Sequence, residues 1–191
     1  MNVTLRTPKM TREQFLDWVE RQEAPYEFDG FEPVPMNGST VNHDQICQNI
    51  YFGLRTRLRG TAWRVLGPTA GLATVGETVR FPDAMVLSGN LSGDERVVPG
   101  VVVVFEVVSP TSATSDHHIK LREYAAVSSV LRYVVVESAT PDVTAFSRPS
   151  PAQGWTATPL LAEEMIELPE LGIELPVAEL YEDVRFGDRP V

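Results

Sequence analysis

The sequence is poor in the residues that build disulfide frameworks and zinc sites. Its 191 residues include one cysteine, Cys47, and three histidines, His43, His117 and His118. A lone cysteine excludes an intramolecular disulfide and is typical of a reducing compartment, so we expect a cytoplasmic protein in which Cys47 is an inert, packed thiol. The histidines are too scattered to predict a zinc site, because zinc prefers clustered cysteine and histidine ligands.

Long apolar runs and excess positive charge are also absent. No apolar stretch is long enough to span a bilayer, and the first residues, MNVTLRTPKM, lack the apolar core of a signal peptide, so we expect no membrane partner. The net charge of −10 argues against a surface that attracts nucleic acid over its whole extent. One dense basic patch, at Arg55, Arg57, Arg59 and Arg64, is either a local nucleic-acid contact or the solvated end of a helix.

The apolar residues predict one globular domain. They make up 43% of the chain and are spread along all of it, without repeats or low-complexity tracts. We expect residues 1–9 to form a flexible tail and residues 10–191 to form a single domain. The periodicities give the order αββαββββαββ, which predicts a mixed α/β or α+β domain with helices against a central sheet.

An acid interrupts the longest apolar run. The run VVVVFEVV, residues 101–108, is typical of a strand buried on both faces, yet it contains Glu106. A buried, unpaired carboxylate is costly, so Glu106 needs a partner. If VRFPDAMVL and this run form an antiparallel hairpin, Leu87 lies near Val101, and Asp83 lies opposite Phe105, next to Glu106.

This pairing predicts a site for a divalent cation. Two acids that meet on one apolar wall repel each other unless a cation or a shared proton lies between them. Carboxylates, backbone carbonyls and waters are the ligands of hard cations, so Asp83 and Glu106 suit Mg²⁺, with Mn²⁺ as a substitute.

Several short motifs, in their order along the chain, resemble those of a known family. They are YEFDG, His43 ahead of a helix, RFPDAMV, VVVFEVVSPTS, DHHIKLREYA and LRYVVVE, and they cover roughly residues 10–140. The pair Pro82-Asp83, followed by Phe105-Glu106, is similar to the core motif of the PD-(D/E)XK nuclease superfamily. More narrowly, the chain resembles the bacterial Uma2 family of restriction endonucleases.

The resemblance implies a restriction-endonuclease-like core, with a central mixed sheet flanked by helices. It also implies an endonuclease that hydrolyses DNA phosphodiester bonds with Mg²⁺, which Asp83, Glu106 and the backbone of Val107 would hold. Because cleavage of both strands generally needs two active sites, we expect a homodimer.

One position departs from the superfamily pattern. The lysine expected two residues after Glu106 is replaced by Val108. The resemblance implies that Lys120, on the following helix, supplies the amine, and that Glu27 is a further acid near the metal. The residues expected to contact substrate are Ser109, Thr111, His43 and Tyr124.

The candidate acids also have plain structural interpretations. Asp83 follows a proline, so it is alternatively a turn or bulge residue. Glu106 is alternatively neutralised in a buried ion pair with Arg80 or Arg122. Glu27 is alternatively a solvated residue of a hairpin.

The remaining candidates have similar alternatives. Lys120 lies four residues after Asp116, a spacing typical of an exposed ion pair on a helix. His43 is alternatively a capping residue, Tyr124 a core residue, and Ser109 and Thr111 alternatively shape the turn after the strand. A catalytically silent nuclease fold that binds nucleic acid or a protein partner is therefore the alternative function.

Overall fold

The computed structural model describes residues 9–36, 40–109 and 114–186, with side chains left out for residues 114–117. The helices are α1 (Arg12–Val19), α2 (Val41–Arg57), α3 (Thr114–Ala126) and α4 (Val177–Leu180). The strands are β1 (Tyr26–Phe28), β2 (Pro33–Pro35), β3 (Trp63–Leu66), β4 (Leu72–Ala73), β5 (Val79–Arg80), β6 (Ala84–Ser88), β7 (Val101–Val108), β8 (Arg132–Glu137), β9 (Val143–Ser147), β10 (Thr156–Leu160), β11 (Met165–Leu168) and β12 (Ile173–Pro176).

A six-stranded mixed sheet forms the centre of the molecule. Its strand order is β10-β9-β8-β7-β6-β3, in which β7 and β8 are parallel and the other neighbours are antiparallel. The parallel pair requires a crossover, and α3 lies in the connection between the two strands. The predicted mixed α/β class, with helices flanking a central mixed sheet, is confirmed.

The apolar strand β7 is covered on both faces. Phe105 and Val107 pack in one core cluster with Ile46, Ile50 and Leu54 of α2. Val104 and Val108 pack in a second cluster with Tyr124 of α3. Because successive side chains of a strand point to opposite faces, α2 and α3 flank the sheet on opposite sides. Glu106 shares the face of β7 that α3 covers.

A smaller sheet of order β2-β1-β5-β4 lies beside this centre. Strands β1 and β2 form a hairpin around Asp29-Gly30, with Gly30 in the left-handed region at φ 87°. Phe15 of α1 stacks on Phe28 of β1 with ring centroids 4.9 Å apart. This packing fixes the strand that carries Glu27.

The hairpin of β6 and β7 differs from its predicted register by one residue. Leu87 lies opposite Val101 as expected, but Ala84, not Asp83, lies opposite Phe105. The cause is an irregularity between Val86 and Leu87, which shifts every pair before it by one position.

The predicted tail is only partly described. Residues 1–8 lie outside the described residues, whereas Lys9 donates its backbone N–H to the Phe31 carbonyl at 2.8 Å and is therefore ordered against the hairpin. Among the helices that the structure describes, none has the length and apolar character needed to cross a membrane.

Candidate active site

Glu106 is buried at the centre of the site, and its carboxylate accepts hydrogen bonds from two side chains. Only 5% of the residue is exposed. The Tyr124 hydroxyl donates to Oε1 at 2.5 Å, and the Lys120 ammonium donates to Oε2 at 3.0 Å. Both partners come from α3, where their i, i+4 spacing places them on one face of the helix. The acid in the apolar strand is therefore held by the helix that covers it.

Lys120 joins two acids. Its Nζ lies 3.0 Å from Glu106 Oε2 and 3.5 Å from Glu27 Oε1, and its side chain is 13% exposed. The structure thus brings three predicted site residues together from β1, β7 and α3. The side chain of Asp116, the alternative partner of Lys120, lies outside the described side chains.

Asp83 lies just before β6 and is attached to the neighbouring strand. Its Oδ2 accepts a hydrogen bond from the Val107 backbone N–H at 2.7 Å, and its Oδ1 lies 3.6 Å from His43 Nε2. Burial raises the pKa of Asp83, while the charge of His43 and the Val107 hydrogen bond oppose that rise. Asp83 is therefore more than a turn residue, since its carboxylate contacts one residue of α2 and one residue of β7.

Burial and neighbouring charge also change the acidity of Glu106. Burial is the largest cause that raises its pKa, to about 7, and the charges of Asp83 and Glu27 add to the effect. Lys120 and the Tyr124 hydrogen bond act in the opposite direction. At neutral pH this carboxyl group is therefore close to the point at which it gains or loses a proton.

Glu27 belongs to a buried ion-pair chain. Its Oε2 accepts from Arg80 Nη1 at 2.8 Å, and Arg80 Nε lies 2.6 Å from Glu123 Oε2. Only 7% of Glu27 is exposed, so the interpretation as a solvated hairpin residue is wrong. Burial alone would lower the pKa of Arg80, but the hydrogen bonds and charges of Glu123 and Glu27 raise it.

The described charges around Glu106 are dominated by acids. The group comprises four carboxylates and two bases: Asp83, Glu106, Glu27, Glu123, Lys120 and Arg80. Within the described residues, Glu27 Oε1 is buried without a hydrogen-bond partner, although Lys120 lies nearby. The excess of carboxylates over described bases, together with a buried carboxylate oxygen that lacks a hydrogen bond, fits a divalent cation.

Comparison with known proteins places this chain in a family. The family model described as "Uma2: Putative restriction endonuclease" matches residues 12–178, which is most of the chain. The chain belongs to the Uma2 family. The resemblance predicted from the motifs is confirmed, and the match extends beyond residue 140.

The Uma2 assignment agrees with the similarities of the whole chain. The Synechocystis protein slr1290, named as uncharacterized, is 23% identical over 94% of this chain and 95% of its own length. The Synechocystis protein sll1609, also named as uncharacterized, is 22% identical over 85% of this chain and 94% of its own length. A solved structure from Anabaena variabilis, described as "a putative nuclease belonging to DUF820", has a TM-score of 0.72 at 12% identity. The alignment covers 91% of this chain and 98% of that one, and this likeness shows the shared fold.

The residues predicted to contact substrate have different positions in this Uma2 chain. Ser109 follows the end of β7, and Thr111 lies outside the described residues. Tyr124 is fully buried with its hydroxyl on Glu106, a position that does not fit a direct substrate contact. His43 is not the cap of α2, because Thr40 is the N-cap and accepts from the His43 backbone N–H.

Two other expectations for this Uma2 chain are corrected. Arg80, proposed as a partner of Glu106, instead pairs with Glu27 and Glu123. One of the histidines does contribute to a mixed ligand group, because His43, Cys47 and Asp83 each place one ligand atom within 4.8 Å of the others. The i, i+4 spacing of His43 and Cys47 on a predicted helix was the available sequence signal.

Proposed function

We propose that this chain is a Mg²⁺-dependent endonuclease that hydrolyses DNA phosphodiester bonds, with Asp83, Glu106 and Lys120 as its catalytic group. The observation that carries the proposal is the contact of the Lys120 ammonium with the buried Glu106 carboxylate, beside an Asp83 bound to the next residue of the same strand. Two acids and an amine at the end of a central strand pair are the elements that metal-assisted phosphodiester hydrolysis requires.

Asp83, Glu106 and the Val107 carbonyl would hold the metal. Asp83 accepts from the Val107 N–H, and the N–H and C=O of one strand residue point to the same side, so this carbonyl is directed toward the side of Asp83. When bound there, Mg²⁺ would supply a bound water of lowered pKa and positive charge next to the phosphate. Mn²⁺, which takes the same oxygen ligands, would substitute for it.

Lys120 would act on the attacking water and on the phosphate. An ammonium held at 3.0 Å from Glu106 is oriented by that carboxylate, and it would stabilise the negative charge that develops on the phosphate. Glu27, 3.5 Å from the same ammonium, would orient it from the smaller sheet. It would also adjust the properties of the metal through a water in the outer coordination shell. Tyr124 would position Glu106 from behind, without contact to the substrate.

The basic patch of the sequence supports DNA binding only in part. Arg57 is paired with Glu179 at 2.7 Å, which leaves Arg55, Arg59 and Arg64 as exposed members. Arg55 lies twelve residues after His43, and therefore about 18 Å farther along α2. Contacts with DNA phosphates at this distance would position a duplex without entering the catalytic group.

A catalytically silent binding protein is the second candidate. It is favoured by the two hydrogen bonds that already satisfy Glu106 and by the net charge of −10. A nicking assay on supercoiled plasmid, with Mg²⁺ or with EDTA, separates the two functions. The nuclease predicts nicking that EDTA abolishes and that Asp83→Asn reduces by roughly 100-fold or more, whereas Glu163→Gln, an exposed acid, leaves it unchanged. Mg²⁺-independent nicking, or none, contradicts the proposal.

The homodimer and the cytoplasmic location stay predictions. Sedimentation velocity of the purified chain, alone and with a duplex oligonucleotide, tests the dimer directly.

A further inference from the structure

A cluster of three different ligand types lies beside the proposed catalytic acids. His43 and Cys47, one turn apart on α2, meet Asp83 just before β6. Cys47 Sγ lies 3.5 Å from His43 Nδ1, and His43 Nε2 lies 3.6 Å from Asp83 Oδ1. One donor atom from each residue lies within 4.8 Å of the other two.

These separations suit a tetrahedral transition metal. Zinc bonds of about 2.0 Å to nitrogen or oxygen and about 2.3 Å to sulfur place neighbouring ligand atoms roughly 3.3–3.8 Å apart. The two short contacts involve different nitrogens of the His43 ring, and an ion would bind only one of them. With one donor atom from each residue, the three atoms lie within 4.8 Å of one another, so side-chain rotations of about 1 Å would bring them to one ion. The side chains of His43 and Asp83 are 22% and 12% exposed, which leaves a route for an ion and for a water as fourth ligand.

The chemistry of the donors selects the class of metal. Mg²⁺ is bound by oxygen ligands and gains little from imidazole or thiolate. A Cys, His and carboxylate set is the ligand type of Zn²⁺ and Co²⁺, and sulfur favours these softer ions over hard ones. The cluster therefore differs in preference from the oxygen donors of Glu106 and the Val107 carbonyl.

We infer that His43, Cys47 and Asp83 form a second metal site, selective for thiophilic ions such as Zn²⁺, which shares Asp83 with the proposed Mg²⁺ site. An ion held here withdraws Asp83 from Mg²⁺ and turns its carboxylate toward α2. Zn²⁺ then acts as an inhibitor of the Mg²⁺-dependent reaction. This inhibitory consequence rests on the proposed function, whereas the binding of Zn²⁺ does not.

Cobalt absorption tests the binding without any activity. Co²⁺ is titrated into the untagged, chelator-stripped full chain, and the near-ultraviolet region is recorded for the thiolate-to-cobalt charge-transfer band. We expect this band to saturate at one Co²⁺ per chain and to disappear when Zn²⁺ is added. In Cys47→Ser the band is absent, and the Zn²⁺ affinity falls by roughly tenfold or more.

Cys47→Ala, which also removes the thiolate, is a second variant in which the band should be absent. Circular dichroism checks that both variants are folded. Co²⁺ binding without the near-ultraviolet band, or a Cys47→Ser chain that binds Zn²⁺ as tightly as wild type, would overturn the inference.

The plasmid assay tests the consequence separately. We expect micromolar-range Zn²⁺ titrations to suppress Mg²⁺-supported nicking by wild type. Cys47→Ser, with each rate expressed relative to its own rate in Mg²⁺ alone, should need at least tenfold more Zn²⁺ for the same suppression. Equal Zn²⁺ sensitivity of both chains contradicts the shared site. A wild type that nicks nothing refutes the proposed nuclease, while the cobalt band still decides the metal site.

Discussion

The Lys120 ammonium lies 3.0 Å from the Glu106 carboxylate, although the two residues are fourteen positions apart on a helix and a central strand. The position two residues after Glu106, where the nuclease superfamily places its lysine, holds Val108, which is buried in the cluster under α3. The helix therefore supplies an amine to the space beside Glu106 that the strand itself does not provide. The migrated lysine implied by the family resemblance agrees with this geometry, and its catalytic role stays a prediction.

Replacing Lys120 tests that role. We expect Lys120→Met to lower the nicking rate in Mg²⁺ by about 10- to 1000-fold, because the charge that orients water and stabilises the phosphate is lost. Lys120→Arg keeps the charge but changes its shape and reach, so its rate remains well below wild type. The matched control is Lys9→Met, which removes the other lysine, paired with Glu32 at the surface. Equal rates for both methionine variants would refute a catalytic Lys120.

Tyr124→Phe tests the hydrogen bond between the Tyr124 hydroxyl and Glu106. The variant keeps the aromatic contact with Tyr133, at 5.0 Å between ring centroids, but removes the hydroxyl that donates to Glu106. Because that hydrogen bond lowers the pKa of Glu106, its loss leaves the carboxyl group more protonated near neutral pH. We expect Mg²⁺ affinity measured by calorimetry to fall by about tenfold near neutral pH and to recover in alkaline buffer. Tyr51→Phe, at an exposed position of α2, is the control. A loss that persists at alkaline pH contradicts this explanation.

The raised pKa of Glu106 predicts a pH dependence of stability. Burial raises this pKa from 4.5 to about 7, so the folded chain keeps the proton over a range in which the unfolded chain has lost it. The stabilisation of the folded chain by this proton is fully present below the pKa of Glu106 in the unfolded chain, and it is lost as the pH rises through about 7. The full loss is on the order of 3 kcal/mol.

Urea denaturation in EDTA measures this loss. Glu106→Gln cannot ionise, so its free energy of unfolding should rise relative to wild type as the pH increases from about 4.5 to about 7. Glu163→Gln, at an exposed position, should follow wild type at every pH. A constant difference between wild type and Glu106→Gln would show that Glu106 does not titrate in this range.

Arg80 is predicted to hold one acid of β1 and one acid of α3 in place. Its side chain is 6% exposed and contacts Glu27 and Glu123. Arg80→Met therefore removes the cation that both largely buried carboxylates share, and leaves Glu27 with only Lys120 at 3.5 Å. We expect the free energy of unfolding to fall by about 3–5 kcal/mol in chemical denaturation. Arg96→Met, which breaks surface pairs with Asp17 and Glu20, should change little. Similar effects of the two substitutions would show that burial adds nothing to the Arg80 contacts.

Local patterns were sufficient to predict much of the fold. The apolar run 101–108 identified the buried strand β7, and the pairing of Leu87 with Val101 was correct. The position of Asp83 opposite Phe105 was wrong by one residue, because the irregularity after Val86 leaves no clear mark in the sequence.

The charge pairs were harder to predict from sequence. Arg80 contacts acids 43 and 53 positions away, and such partners depend on how β1, β5 and α3 meet. The same limit applies to Cys47. Its spacing from His43 was visible, but Asp83 reaches that helix only because α2 packs across the sheet.

The central claim is that Asp83 and Glu106 bind one divalent cation between them. Its most direct test is the anomalous scattering of Mn²⁺ in crystals of the full chain. The account predicts one anomalous peak within bonding distance of both Asp83 and Glu106, about 2.1–2.3 Å from their oxygens, with the Val107 carbonyl as a further ligand. No peak at that position at saturating Mn²⁺, with Glu106 still bound only to Lys120 and Tyr124, would contradict it.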